Sequence, residues 1–362
     1  MTRPCQEGVD VSKGSERLRV VVATPLAEQH CELIERLEPR IDLVRDQWLY
    51  PPMRHPADFD GDPSFRRTPD QQRAFEQMLD SAEVLYGIPD VDPAALKRTA
   101  DANPGLRWVH TMAAGGGGQV KAAGLSEEQL RRIVFTTSAG VHGGPLAEFA
   151  VFGVLAGAKD LPRLLAQQDD RSWTARWEMR QLSEMTVLVV GLGGIGQEVA
   201  QKLSALGATI IGTSRRSRPT QHVDRLIQVG EIASTVPEVD AIVLTLPGTA
   251  ATEKLIGSGV LAAVKPGTTL VNVGRGTVVD EDALLPALRD GRISFAALDV
   301  FATEPLPHDS PLWGEPNVLV SPHTAALNAA EDRLIAELFA ANATRFLDGD
   351  QLMNQVDTVD FY

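Results

Sequence analysis

Short continuous apolar runs alternate with stretches whose apolar residues recur every three or four positions, from residue 18 almost to the end of the chain. Runs at 18–23, Ile41–Val44, Val84–Tyr86, 106–110 and 133–136 read as strands. Helical spacing lies between them at 26–37, 69–81 and 92–102, the last with Asp92 as N-cap before Pro93. The segment 146–155 is apolar enough for a buried helix. Further strands are predicted at 187–190, 209–211, 241–246, 269–273, 295–300 and Val318–Val320, with helices at 254–263 and 281–290. A last helix, 329–347, shows apolar Leu334, Leu338, Ala341 and Phe346 and is expected to cross back onto the first segment. Strand and helix alternating in this way predict an α/β fold of parallel sheets covered on both faces.

The stretch 185–216 organises the pattern. A β-branched run meets Gly191-Leu192-Gly193-Gly194-Ile195-Gly196, and Val199, Leu203 and Leu206 follow at helical spacing before Gly207. The glycines fit G-x-G-x-x-G between a strand and a helix. Gly191 permits the tight turn, Gly193 lets phosphates approach the backbone, and Gly196 lets helix and strand pack closely. The reading is a dinucleotide site; a strand-to-helix turn without a ligand is the plain alternative.

Three segments interrupt the alternation. Residues 46–68, with Pro51, Pro52, Pro56, Gly61 and Pro63, form an irregular insertion, either a lid or partner arm or a surface excursion. Gly115 to Gly118 follow a strand directly, so their N–H groups form an anion-binding nest or the run is a linker. Residues 159–183 carry Trp173, Trp177 and many charges, which suits a helical connector or a subunit contact.

Composition narrows the classes. The 362 residues carry 34 Lys and Arg against 48 Asp and Glu, a net charge of −14, which argues against nucleic acid or an anionic membrane as partner. A small anionic substrate stays open, because local arginines decide that question. Two cysteines give no disulfide framework, and the seven histidines show no zinc spacing, so no metal is expected. Residues 1–17 read as a polar tail without the apolar stretch of a signal peptide, and a cytoplasmic protein is expected.

Arg275, Glu304 and His323 each lie just past the carboxyl end of a predicted strand of one parallel sheet, the edge where ligands bind in open α/β sheets. A guanidinium can hold a carboxylate and a carbonyl oxygen through its planar fork. A histidinium can give that oxygen a proton, and a neighbouring carboxylate stabilises the charged ring. These types fit hydride reduction of a 2-oxo acid.

With the Gly191 turn, Val271-Asn272-Val273-Gly274-Arg275-Gly276, Leu298-Asp299-Val300-Phe301-Ala302-Thr303-Glu304-Pro305-Leu306-Pro307 and Ser321-Pro322-His323-Thr324-Ala325-Ala326, the chain resembles the D-isomer-specific 2-hydroxyacid dehydrogenase family. The resemblance implies two Rossmann-like doubly wound domains with the active site in the cleft between them, and a homodimer. The substrate domain would be discontinuous, 18–140 completed by 325–362, around a dinucleotide-binding domain over 141–324. Arg275 would bind substrate, Glu304 would orient His323, and His323 would be the general acid and base. Gly191, Gly193, Gly194, Ile195, Gly196, Leu246, Pro247, Val273 and Asp299 would contact the cofactor, Asp299 through the nicotinamide carboxamide. Ala114, Gly115 and Gly116 would offer N–H groups to the substrate carboxylate.

Two departures matter. Four glycines stand where the family usually has one followed by bulkier residues. Many members end the second nucleotide-domain strand with an acid, whereas here Ser214, Arg215 and Arg216 stand there. That favours NADP(H), with NAD(H) also possible, because a carboxylate would repel the 2′-phosphate. Within the family the chain is most similar to the glyoxylate/hydroxypyruvate reductase branch, which Ser310-Pro311-Leu312-Trp313 also resembles. The alternatives are a nucleotide-sensing, corepressor-like scaffold and a dehydrogenase of another small anion.

Overall fold

The computed structural model describes residues 17–214, 219–359 and 361. Internal contacts gather the chain into two units. Unit 1 runs up to Ser138 and resumes at Asp332, and unit 2 is Ala139–Glu331. The chain therefore crosses at 138/139 and 331/332, where the family resemblance implies 140/141 and 324/325.

Unit 1 holds strands β1 (Leu18–Val22), β2 (Ile41–Val44), β3 (Val84–Tyr86), β4 (Trp108–Thr111) and β5 (Val134–Thr137), with helices α1 (Glu28–Leu37), α2 (Pro69–Asp80), α3 (Pro93–Ala102), α4 (Gly117–Ala122) and α5 (Glu127–Arg132). The sheet is wholly parallel in the order β2-β1-β3-β4-β5. Its strands are apolar runs because helices cover both faces; all three residues of β3 are fully buried. Asp92 caps α3 by accepting the Ala94 N–H at 2.9 Å.

The last helix, Glu331–Asp348, packs on this sheet. Phe339 stacks 4.8 Å over Trp108 and meets Tyr86 edge-on at 5.1 Å. Its buried face is Ile335, Ala336, Phe339, Ala340 and Ala343, whereas Leu334 and Leu338 are half-buried and Ala341 is exposed. The expected stripe is therefore displaced. The helix is apolar on more than one side, and the aromatic partner at 339 decides which side turns inward.

Two short helices, α4 and α5, were not anticipated. Ser126 and Gln129 form a reciprocal capping box on α5, a signal present in the sequence. The insertion at 46–68 is irregular apart from one turn, Gln47–Leu49, and it is pinned to unit 1. The Arg67 guanidinium lies 3.8 Å over Phe75 and pairs with Asp90 at 2.8 Å. The Tyr50 hydroxyl donates to the Val22 carbonyl at 2.8 Å.

Unit 2 begins with α6 (Gly143–Ala158) and α7 (Leu161–Asp169) and continues through β6 (Thr186–Val190), α8 (Gly194–Ala205), β7 (Thr209–Thr213), β8 (Arg225–Ile227), α9 (Ile232–Thr235), β9 (Ala241–Leu244), α10 (Ser258–Ala263), β10 (Thr268–Asn272), α11 (Glu281–Arg289), β11 (Ile293–Leu298) and β12 (Val318–Val320). The sheet is parallel throughout, in the order β12-β11-β10-β9-β6-β7-β8. Strand order reverses between β6 and β9, which makes their carboxyl ends the switch point. β8 and α9 were missed because three-residue and four-residue elements carry too little periodicity to read. α6 lies close against β10 and β11: a Cβ on Gly153 would stand 2.8 Å from Val271, and one on Gly157 2.1 Å from Thr269 Oγ1. α7 buries no residue, Leu165 is exposed, and Trp173 beyond it is fully exposed. Among the described residues no helix is long and apolar enough to cross a membrane.

Candidate active site

The Gly191 turn sits at the end of β6. Gly191 has φ +103°, its N–H donates to Thr213 Oγ1 at 2.9 Å, and its carbonyl accepts the Thr245 hydroxyl at 2.6 Å. A Cβ on Gly196 would stand 1.8 Å from the Gly191 carbonyl oxygen, so only glycine lets α8 start there. Cβ atoms on Gly193 or Gly194 would meet nothing within 4 Å. No side chain caps α8, which leaves open N–H groups and the positive end of a 12-residue helix facing free space. These features fit a pyrophosphate. Ile195 is half-buried beside them, Leu246 is half-buried and Pro247 exposed at the end of β9. Val273 is only 3% exposed and belongs to the core, so its side chain has little surface for a ligand.

Asp299, just past β11, is 1% exposed. Its Oδ1 accepts three hydrogen bonds, from the Ser321 hydroxyl at 2.5 Å and the N–H groups of Thr324 and Ala325 at 2.9 and 3.0 Å. Its Oδ2 is buried without a partner. A lone acceptor of this kind is costly unless a donor arrives, and a carboxamide NH₂ is such a donor. The cofactor expected from the sequence therefore fits both the glycine turn and this orphan oxygen.

The same aspartate shapes the turn that carries His323. The His323 N–H donates to the Asp299 carbonyl at 2.9 Å, and His323 holds φ +53°, a left-handed conformation uncommon for a non-glycine residue. His323 Nδ1 lies 2.7 Å from Glu304 Oε2, and Glu304 Oε1 accepts the Phe301 N–H at 2.9 Å. With Glu304 as a carboxylate, Nδ1 carries the proton and Nε2 is left to exchange one with a ligand. The histidine side chain is 47% exposed and the glutamate 34%, so the pair faces solvent.

Arg275 follows β10 and is exposed. One of its N–H groups donates to the Gly274 carbonyl at 2.7 Å, and no carboxylate pairs with it among the described residues. Asn272 ties its turn, donating to the Arg275 carbonyl at 3.0 Å and accepting the Gly274 N–H at 3.0 Å. A Cβ on Gly276 would stand 1.8 Å from the Phe301 carbonyl carbon, so the Arg275 turn abuts the backbone of the loop that carries Glu304. Asn272 and Ser321 were missed by sequence reasoning. Asn272 sits inside a quoted motif at a strand end, the one signal that could have found it.

In unit 1 the expected nest differs. No residue from Gly115 to Gly118 has positive φ, and Gly116 adopts φ −60° and ψ −14° as the residue before α4. The N–H groups of Gly116 and Gly118 donate within the loop, to Ala113 and Gly115 at 3.2 Å each. The run opens a right-handed helix because nothing forces the alternating handedness a nest requires. Ala114 and Gly115 lie in the turn that precedes it. Ser214 follows β7 and donates its N–H to the Ile227 carbonyl at 3.4 Å, while Arg215 and Arg216 lie outside the described residues.

Comparison with known proteins identifies the family. The pattern of the D-isomer specific 2-hydroxyacid dehydrogenase NAD binding domain matches residues 151–325. An uncharacterised protein in the proB 3′ region of Corynebacterium melassecola is 33% identical over 267 residues, 72% of this chain and 86% of that protein. The glyoxylate/hydroxypyruvate reductase A of Citrobacter koseri is 32% identical over 220 residues, 61% of this chain and 70% of that protein. A crystal structure of a D-isomer specific 2-hydroxyacid dehydrogenase from Xanthobacter autotrophicus Py2, in complex with NADPH and MES, is 27% identical with a TM-score of 0.76, covering 96% of this chain and 100% of that one. The chain belongs to the D-isomer-specific 2-hydroxyacid dehydrogenase family, with similarity there to the glyoxylate/hydroxypyruvate reductase branch.

Proposed function

We propose that the protein reduces a small 2-oxo acid, glyoxylate or hydroxypyruvate among them, to the 2-hydroxy acid, with NADP(H) preferred and NAD(H) possible. The observation that carries this reading is the His323–Glu304 hydrogen bond of 2.7 Å, together with an arginine that has no carboxylate partner among the described residues and whose turn abuts the Glu304 loop at Gly276. The reduced nicotinamide supplies the hydride when bound. Arg275 holds the substrate carboxylate and polarises its carbonyl through the guanidinium fork. His323 gives its Nε2 proton to the carbonyl oxygen as that oxygen gains charge. Glu304 keeps the ring oriented and stabilises the charge on it. Asp299 would hold the carboxamide by its free oxygen. In the oxidative direction the same histidine takes the proton back.

We also propose Gly191, Gly193, Gly194, Ile195 and Gly196 as the pyrophosphate cradle, and Ala114, Gly115 and Gly116 as contacts for the substrate carboxylate. Ser214, Arg215 and Arg216 are proposed to favour the 2′-phosphate, in keeping with NADPH in the Xanthobacter structure. A homodimer is proposed from the family likeness and from the apolar surface left exposed around Leu165 and Trp173. The test is a panel of 2-oxo acids assayed by loss of nicotinamide absorbance, with NADPH and NADH in parallel. Turnover of glyoxylate or hydroxypyruvate with NADPH is expected. No turnover of any 2-oxo acid overturns the reading, and equal use of NADH at low concentration removes the cofactor preference.

A further inference from the structure

The reaction proposed above makes no use of His110, a fully buried histidine on β4 of unit 1. Its ring stands among aromatic side chains, with its centroid 5.7 Å from that of Phe339 and 6.3 Å from those of Tyr86 and Trp108. An apolar residue would fill such a place without the cost of burying two ring nitrogens. Both nitrogens are instead partnered. Nδ1 lies 2.8 Å from the Thr136 hydroxyl and Nε2 lies 3.2 Å from the Ser138 hydroxyl. Trp108 Nε1 donates to the same Thr136 hydroxyl at 2.8 Å, and the Ser138 hydroxyl donates to the Thr111 carbonyl at 3.1 Å.

Counting protons gives these contacts a direction. A hydroxyl has one proton to donate, and a carbonyl can only accept. The Ser138 proton goes to the Thr111 carbonyl, so Nε2 is the donor to Ser138. Nδ1 is then an acceptor and takes the Thr136 proton, while the Thr136 oxygen accepts the Trp108 N–H. All four contacts are satisfied at once. In the other tautomer Nδ1 would donate to Thr136, whose own proton would have no acceptor among the described residues. The Ser138 proton would turn to Nε2 and leave the Thr111 carbonyl. A charged ring strands the Thr136 proton in the same way, and burial, which pushes the His110 pKa down to about 3, keeps the ring neutral.

This relay ends where β4 gives way to the glycine turn. Thr111 is the last residue of β4. Its carbonyl is held by Ser138, and its hydroxyl donates to the Ala113 carbonyl at 3.3 Å. The Ala113 carbonyl also accepts the Gly116 N–H at 3.2 Å. The N–H groups of Ala114 and Gly115, between these two ties, have no partner among the described residues.

We propose that His110 and Ser138 are positioning residues for this turn. The Nε2–H tautomer of His110 fixes the Ser138 hydroxyl, Ser138 fixes the Thr111 carbonyl, and the turn that follows presents the Ala114 and Gly115 N–H groups to a carboxylate. That the turn meets the substrate rests on the reductase reading; that the relay sets the turn does not.

The test compares wild type with Ser138→Ala, Thr136→Val and Thr136→Ser as full chains. It reads ring-nitrogen NMR, amide hydrogen exchange and steady-state kinetics on 2-oxo acids with NADPH. In wild type at neutral pH the His110 ring is expected as the neutral Nε2–H tautomer. In Ser138→Ala, exchange at the Gly116 amide should rise about tenfold, the scale of one lost hydrogen bond, with β1 and β3 unchanged. KM for the 2-oxo acid should rise about tenfold while kcat stays within about twofold, as loss of uniform binding requires. Thr136→Val touches no atom of the turn and should raise both quantities severalfold through the ring. Thr136→Ser, which keeps the hydroxyl, should stay near wild type. An Nδ1–H or charged ring overturns the relay, as does an unchanged Gly116 amide in Ser138→Ala. Equal damage from Thr136→Ser and Thr136→Val, or a lower melting temperature with KM unchanged, reduces the network to packing and overturns the proposal. Should Ser138→Ala not fold, the Thr136 pair makes the same comparison. If wild type turns over no 2-oxo acid, the reductase reading fails, and the tautomer and the Gly116 amide still decide the relay.

Discussion

The carboxyl edges of the two sheets are built alike in topology and fastened differently. In unit 2 three of the loop glycines meet backbone, although Gly191 and Gly248 meet side chains. Gly196 abuts the Gly191 carbonyl, Gly274 the Leu246 backbone at 2.6 Å, and Gly276 the Phe301 backbone. In unit 1 the corresponding glycines meet side chains first: Gly116 faces Thr111 Oγ1, Gly87 the Thr24 side chain at 2.5 Å, and Gly61 the Pro51 ring at 2.6 Å. A threonine hydroxyl or methyl can leave by a change of rotamer, although its Cβ and the Pro51 ring yield only if the loop shifts; a backbone contact leaves nothing to rotate. Unit 2 thus ties the Arg275 and Glu304 loops to one another, as the proposed proton donor His323 and its orienting carboxylate would require. Unit 1 keeps a more adaptable edge, where the substrate contacts proposed above lie.

The sharpest way to break this comparison is to remove the proposed proton donor itself. His323→Ala should lower kcat by about 10²–10⁴-fold with cofactor affinity nearly kept, because the proton donor acts in the transition state. Stopped-flow and cofactor titration by fluorescence would read both quantities. A kcat within twofold of wild type removes His323 from the reaction.

Acid should separate the units next. His110, fully buried on β4, bonds the Thr136 hydroxyl at 2.8 Å and the Ser138 hydroxyl at 3.2 Å, and burial pushes its pKa down to about 3. An unfolded histidine titrates near about 6.5. Below that pH the unfolded chain binds a proton that the folded chain refuses, so stability falls from about pH 6.5 toward pH 3, by on the order of 4 kcal/mol in all. Glu38 and Asp58, also in unit 1, are held at about 2 by hydrogen bonds from Arg40 and Arg54. Their contribution is present above the ordinary carboxylate range and is lost as pH falls through it toward 2, in the same direction. Urea unfolding at stepped pH, with hydrogen exchange resolving the units, should show unit 1 weakening first. A His110 ring that titrates above pH 5 in the folded protein would contradict this.

Gly276→Ala should cost about 3 kcal/mol, near the upper end for overpacking, because the clash is with the Phe301 backbone. The loss should fall on activity as well as stability, since the loops of Arg275 and Glu304 are pushed apart. A variant with wild-type melting temperature and kcat/KM would show that this contact is softer than its distance implies.

How much of this was legible in the sequence follows the same division. Strand ends in a parallel sheet converge by topology, so Arg275, Glu304 and His323 could be grouped from residue order alone. The glycine turn carried its own steric meaning. Invisible were features set by tertiary neighbours: the left-handed backbone of His323, the three hydrogen bonds that fix Asp299, and the face of the last helix chosen by Trp108. The four glycines at 115–118 misled for a related reason. Glycine allows a nest without requiring one, and here the chain goes on into a helix.

The smallest expected effect tests unit 1 on its own terms. A Cβ at Gly116 would stand 1.8 Å from Thr111 Oγ1 and 2.6 Å from its Cβ, the nearest as short as the nearest at Gly276. By distance alone the two substitutions should be equally damaging. The obstacle at Gly116 is a side chain whose hydroxyl can leave by a change of rotamer, losing one hydrogen bond to the Ala113 carbonyl at 3.3 Å, while its Cβ must move with the loop. Gly116 has helical φ and ψ, so alanine brings no backbone strain. Gly116→Ala should therefore cost about 1 kcal/mol, less than Gly276→Ala. Any consequence should appear in KM for the 2-oxo acid, through the Ala114–Gly116 turn, and not in kcat. A double variant, Gly116→Ala with Thr111→Ala, removes the hydroxyl that stands nearest and should relieve most of the strain that remains. If Gly116→Ala destabilises as strongly as Gly276→Ala, side-chain contacts at the unit 1 edge are as unyielding as backbone, and the proposed division of rigid chemistry from adaptable recognition fails.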